Sequence, residues 1–328
     1  MKTLLLPVFI VCTVAAATAR EPARLAISGK DSPGQGDNNG NETKRTPAVH
    51  AHDGGTNAAA AWHRQPITYM SDGLRITGLA SKPAGAGPFP AVFVNHGGFD
   101  PARTVGPLLD LFAKLGYAAV ASDYRGVGDS EGQREVARGE VNDVLNAMDW
   151  ARAMRFVDPQ RVVMWGHSHG GCIALLAAAR RPEIKAVVTI GAPVELADCH
   201  RHWVRTVELV PALKPLVGLS LPIGGTPEQV PQEWKIRSPL YVADRIKCPV
   251  LLVQGGRDDA VPPDQARRMA AALQASGNRH ARVLFDADAG HVLDAKAYER
   301  LGNILVNFLN QHVGLPLTPG KAPQTNDK

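Results

Sequence analysis

Ser168 lies in Trp165-Gly166-His167-Ser168-His169-Gly170-Gly171, between an apolar strand-like run, Arg161 to Trp165, and an Ala/Leu-rich helix former, Cys172 to Ala179. A serine hydroxyl that must stand clear of a sheet needs a tight strand-to-helix turn. Such a turn needs neighbours with almost no side chain, and Gly166 and Gly170 supply them. Serine attacks a carbonyl only when an imidazole takes its proton and a carboxylate holds that imidazole in the right tautomer. Both partners follow downstream. Asp258 sits beyond a buried strand, 249–254, in the loop Gly255-Gly256-Arg257-Asp258-Asp259-Ala260-Val261-Pro262. His291 follows a further strand, 281–286, through Ala287-Asp288-Ala289-Gly290. Ser168 therefore reads as nucleophile, His291 as general base and acid, and Asp258 as the orienting acid. Asp259 is the rival carboxylate; the offsets from Gly255 and to Val261 and Pro262 favour Asp258 and leave Asp259 a solvated loop charge.

Upstream, a strand at 91–95 ends in His96-Gly97-Gly98. Its exposed amides can supply half of an oxyanion hole, with the His169 amide supplying the other half. His96 reads as a brace for that turn, and Asp123 and Asp129 read as loop-ordering groups. His167 and His169 invite a metal reading, but an i, i+2 pair at a turn without a nearby Cys or carboxylate pattern makes a poor site.

The elements that must carry these residues alternate. A hairpin over 66–71 and 74–81 turns at Asp72-Gly73, followed by strand 90–95, helix 104–115, strand 117–122 and helix 134–154. Strand 161–165, helix 169–181, strand 185–190, strand 249–254, helix 262–276, strand 281–286 and helix 294–312 continue the rhythm. Strand and helix in turn imply a mostly parallel sheet covered on both faces, with the site beyond the carboxyl ends of the strands. One interval breaks it. Residues 193–244 carry Trp203, Leu213, Leu216, Leu219 and Trp234 among several prolines, and read either as a cap hanging over Ser168 or as a packed excursion whose aromatics are core.

With these residues in place, the chain resembles the α/β-hydrolase superfamily, and within it the prolyl-oligopeptidase-type catalytic domain and dienelactone-hydrolase-like enzymes. The resemblance rests on the His-Gly-Gly turn at 96–98, Asp123-Tyr124-Arg125-Gly126-Val127-Gly128-Asp129-Ser130, the turn around Ser168, Arg237-Ser238-Pro239-Leu240, Gly255 to Pro262, and Gly290-His291. It implies an α/β-hydrolase fold with a small cap insertion. For the site it implies the triad Ser168, His291 and Asp258, with the amides of Gly98 and His169 as oxyanion donors. The chain lacks the length for an accompanying β-propeller, and it has serine where dienelactone hydrolases use cysteine.

The ends differ in material. Met1-Lys2-Thr3 followed by an apolar run to Ala17 and the small residues Ala17-Thr18-Ala19 reads as an export signal over 1–19, placing the product in the periplasm or outside the cell. A polar leader over 20–61 and a Pro-rich tail over 315–328 bury too little apolar surface to fold, leaving 62–314 as the hydrolase domain. Nothing after the signal is long enough to cross a bilayer. The net charge of +5 is unclustered and gives no nucleic-acid footprint. Of the four cysteines, Cys199 and Cys248 can pair only if the fold brings them together. The expected activity is hydrolysis of small or medium carboxylic esters without a cofactor. Peptide or aminoacyl-amide hydrolysis is the alternative, and a non-catalytic binding protein on a hydrolase fold is a further one. Because the base must be neutral, the rate falls as acid protonates His291.

Overall fold

The computed structural model describes residues 64–317. The expected export signal (1–19), the leader (20–61) and the tail beyond 317 lie outside the described residues.

An eight-stranded sheet with the order β1-β2-β4-β3-β5-β6-β7-β8 runs through the described residues. Strands β1 (Gln65–Ser71) and β2 (Leu74–Ser81) form the antiparallel hairpin, and β2 also pairs antiparallel with β4 (Ala118–Ser122). The others, β3 (Phe89–Asn95), β5 (Val157–His167), β6 (Ile184–Ile190), β7 (Val250–Gly255) and β8 (Ala281–Asp286), are parallel. The central strands are buried along almost their whole length, because helices cover both faces. Alternate residues point to opposite sides. Phe93 and Met164 pack against α2 (Gly139–Arg152), α3 (His169–Arg180) and α8 (Asp264–Ala275). Val94 and Trp165 pack against α1 (Gly106–Lys114) and α9 (Ala295–Val313).

The expected elements recur within a few residues, with two shifts. The helix expected from 104 begins as a 3-10 turn, Ala102–Val105, and becomes α1 only at Gly106. The helix expected from 134 begins at Gly139, because Val136 and Ala137 are left-handed, at φ 60° and 56°. Amides freed there converge on one carboxylate: Glu140 accepts from the backbone of Glu135 (2.7 Å), Val136 (3.0 Å) and Arg138 (3.1 Å). Beneath this loop the buried Arg125 guanidinium holds the fully buried Asp143 at 2.9 Å, Asp72 at 2.7 Å and Glu135 at 2.7 Å.

Between β6 and β7 the chain makes four helices, α4 (Leu196–Thr206), α5 (Lys214–Val217), α6 (Ser220–Ile223) and α7 (Pro231–Lys235), and two 3-10 turns. Both earlier readings of this interval apply in part. Trp234 is fully buried and its indole donates to the Gly225 carbonyl at 3.0 Å, so it is core. Trp203, by contrast, donates to the Ala260 carbonyl at 2.6 Å, and His202 lies 3.0 Å from the Asp259 carbonyl. Helix α4 is thereby tied to the loop that carries Asp258. Cys172, Cys199 and Cys248 are free thiols. Among the described residues no helix is long and apolar enough to cross a membrane.

Candidate active site

The turn between β5 and α3 places Ser168 at φ 52°, ψ −122°, a strained conformation just before the first turn of α3. The strain persists because the surroundings leave the chain no alternative. A Cβ at Gly166 would meet the Gly170 carbonyl oxygen at 2.4 Å, and one at Gly170 would meet the Asn95 carbonyl oxygen at 2.1 Å. The Ser168 amide is itself fixed by the Ile190 carbonyl at 2.8 Å.

Strand ends deliver the other two groups. His291 Nε2 lies 2.9 Å from Ser168 Oγ, in position to accept its proton, and Nδ1 lies 2.9 Å from Asp258 Oδ2. The Asp258 side chain is fully buried, while His291 keeps 22 % of its side-chain surface open toward solvent. Four donors converge on Asp258: His291 Nδ1–H and Gln254 Nε2 (3.1 Å) on one oxygen, the amides of Ala260 (3.0 Å) and Val261 (2.7 Å) on the other. An acceptor-only carboxylate suits four donors. Asp259 is exposed, whereas Asp258 is the buried carboxylate in contact with His291.

Three histidines surround the site in different roles. His96 is buried, lies 2.9 Å from the Ser122 carbonyl and stacks on Tyr124 at 4.2 Å, which fixes the turn before Gly97 and Gly98. Burial lowers its pKa to about 4. His167 donates from Nε2 to the His291 carbonyl at 3.0 Å. Burial, and then the neighbouring His291, bring it also to about 4. The His169 ring is wedged between Phe99 and Tyr124, and burial lowers its pKa, against the pull of Glu140 and the Gly98 backbone. Backbone carbonyls take neither the Gly98 nor the His169 amide among the described residues.

Two groups at the site carried no role in the sequence reading. Gln254 is a wholly buried amide at the end of an otherwise apolar strand, and that anomaly is its sequence signal. Gly191 (φ 56°) ends β6 where a Cβ would stand 3.0 Å from both Asp258 Oδ2 and His291 Nδ1, so only glycine admits the pair so close to the sheet. Nothing in the local sequence around Gly191 marks that approach.

Next to Ser168 lies a small cavity of about 40 Å³, lined chiefly by Cys172, Pro193, Leu196, Trp203, Leu216 and Leu219. An outer cleft of about 500 Å³ adjoins it, and Phe99 and Leu219 line both.

A strained serine at a strand–helix turn, relayed through histidine to a buried aspartate, is the arrangement of a serine hydrolase. The model of the prolyl oligopeptidase family matches residues 107–315. The chain belongs to the prolyl oligopeptidase family. It is accordingly a serine hydrolase, a peptidase or an esterase. The chain is 29% identical over 197 residues to the uncharacterized peptidase YtmA of Bacillus subtilis (strain 168), covering 60% of this chain and 73% of that one. It is 26% identical to a solved puromycin-hydrolyzing peptidase of Mycobacterium tuberculosis, with a TM-score of 0.66 over 78% of this chain. It spans only 40% of that peptidase. The esterase of Pyrococcus furiosus shares the fold, with a TM-score of 0.61 and 18% identity, over 77% of this chain and 91% of that one.

Proposed function

We propose that this family member hydrolyses small or medium carboxylic esters through an acyl-enzyme on Ser168. The observation that carries the reading is the unbroken chain of contacts from Ser168 Oγ to His291 to Asp258, 2.9 Å at each step, opening on an apolar cavity of about 40 Å³. Ser168 Oγ bonds to the substrate carbonyl carbon while its proton passes to His291 Nε2. The resulting oxyanion is met by the amides of Gly98 and His169, which no backbone carbonyl occupies among the described residues. Collapse breaks the bond to the leaving alcohol, which takes the proton from His291. Water then repeats the cycle and frees the acid and Ser168. None of these steps calls for a cofactor.

A second reading, cleavage of peptides or aminoacyl amides, is favoured by the likeness to the puromycin-hydrolyzing peptidase. The same triad serves it, since His291 can protonate an amine as well as an alcohol. The basic start and apolar run before Ala19 support export of the enzyme, which sequencing the N-terminus of the purified natural protein tests.

Short-chain and long-chain nitrophenyl esters, assayed beside aminoacyl and Xaa-Pro nitroanilides with wild type and Ser168→Ala, decide between the readings. Ester turnover that vanishes in Ser168→Ala establishes the esterase. Comparable anilide turnover moves the enzyme to the peptidases, and an active alanine variant overturns both.

A further inference from the structure

Among the described residues Arg134 is the only charged one lining the outer cleft; its other walls include Phe99, Gln133, Pro215, Leu219 and Pro222. Three arginines around the 133–138 loop are neutralised. Arg125 holds Asp143, Asp72 and Glu135, while Arg138 and Arg237 share Glu233. Arg134 has no carboxylate partner among the described residues; its guanidinium lies over the Phe99 ring, 4.7 Å from the centroid. That contact uses no carboxylate, so the N–H fork of Arg134 is available to grip one with two parallel bonds.

The platform beneath Arg134 is fixed. A Cβ at Gly126 would stand 2.8 Å from the Arg134 amide nitrogen, so the two backbones are in close contact. The next residue, Glu135, is pinned by Arg125 through its side chain and by Glu140 through its amide. Phe99 extends the same surface to Ser168, since it follows Gly98 directly and lines the inner cavity too.

The leaving group must face His291 to receive its proton. No residue of the Asp258 or His291 loops lines the outer cleft, which therefore runs away from the leaving group, along the acyl side. We infer that the enzyme selects acyl groups carrying a terminal carboxylate, as in half-esters of dicarboxylic acids, with Arg134 gripping that carboxylate across the outer cleft. This rests on the acyl-enzyme reading and names the substrate class of the same site.

The test uses nitrophenyl half-esters of adipic, suberic and sebacic acids, each beside the analogue whose free carboxylate is a carboxamide, and the same acyl groups as nitroanilides. Wild type is expected to prefer the carboxylate at the best-fitting length by at least about tenfold in kcat/KM, and the preference shrinks as salt rises from about 0.05 to 0.5 M. Arg134→Gln is expected to erase the preference, chiefly through KM; Arg134→Glu inverts it, and Arg134→Lys keeps part of it because a point charge lacks the fork. A wild type that handles carboxamides as well at every length, a preference that survives Arg134→Gln, or no turnover of any of these acyl groups overturns the inference. Fluorophosphonate labelling of the same samples separates the two readings. An unlabelled wild type sinks the acyl-enzyme reading and this inference with it, whereas a labelled enzyme indifferent to terminal charge sinks this inference alone.

Discussion

Exchanging Asp258 for Asn removes one charge and changes almost no volume, yet the hydrogen-bond pattern makes its consequence large. All four groups around the carboxylate are donors: His291 Nδ1–H, Gln254 Nε2 and the amides of Ala260 and Val261. An asparagine offers one acceptor oxygen and a donor NH₂, so it must present the NH₂ to one of the two pairs. The backbone amides cannot reverse. Gln254 can turn its partnerless Oε1 toward the new donor, at the cost of its Nε2 contacts with the Gly255 and Val261 carbonyls, each 3.3 Å. The NH₂ therefore faces Gln254 and His291, and His291 must accept at Nδ1. Its remaining proton moves to Nε2, the atom that should take the proton of Ser168 from 2.9 Å away. The imidazole is then in the wrong tautomer for a base. The expected loss in kcat is about 10⁴-fold, or about 5 kcal/mol of transition-state stabilisation. Stability falls by roughly 1–3 kcal/mol, since the turned Gln254 amide gives up its bonds to the Gly255 and Val261 carbonyls. The assay is nitrophenyl ester turnover by Asp258→Asn, with thermal melting as the folding control. A folded variant within about tenfold of wild type would refute the orienting role of Asp258.

Three further outcomes follow from the packing. Gly170→Ala would press a Cβ to 2.1 Å from the Asn95 carbonyl oxygen, so it should cost about 3 kcal/mol or more and abolish turnover together with solubility; a well-folded, active variant would contradict it. Arg125→Ala strands Asp143, whose side chain is fully buried, and should destabilise by about 3–5 kcal/mol, read as a melting temperature lower by roughly 10 °C. His96, which is buried, and half-buried His167, which loses solvation and faces His291, are held near pKa 4 and remain neutral in the folded chain while ordinary histidines in the unfolded chain take up protons. The unfolded state then binds more protons between about pH 6.5 and 4, so stability is intact above that window and is lost as pH falls through it. The loss is up to roughly 3 kcal/mol per histidine. Thermal melts at about pH 7.5, 5.5 and 4.5 should fall, less steeply in His167→Gln; identical slopes for the two proteins would count against the His167 share.

Much of this site could be read without coordinates because local physics is written locally. A serine that must stand out of a sheet needs glycines beside it, so Gly166-His167-Ser168-His169-Gly170 marks the turn. Strands buried on both faces read as continuous apolar runs, which is why 249–254 and 185–190 fell within a residue of β7 and β6. The start of α2 escaped the same reasoning. Nothing local distinguishes a helix from 134 from one beginning at Gly139; the left-handed Val136 and Ala137 are held by Glu140 and by the ion pair between Glu135 and Arg125.

Sequence by itself determined the alternation of strands and helices, the identities of Ser168, Asp258 and His291 as chemical candidates, and the presence of an insertion after β6. Tertiary structure alone decided the distances. It brought residues 123 and 33 positions apart to 2.9 Å contacts, made Gln254 and Gly191 part of the acid's setting, tied α4 to the Asp258 loop through Trp203, and set Arg134 in the wall of the outer cleft as its one charge among the described residues. The physical reason is the range of the forces. Backbone preference and apolar periodicity act over a few residues and survive in a one-dimensional record. Hydrogen-bond satisfaction, steric exclusion and charge pairing act between whatever the folded sheet sets side by side.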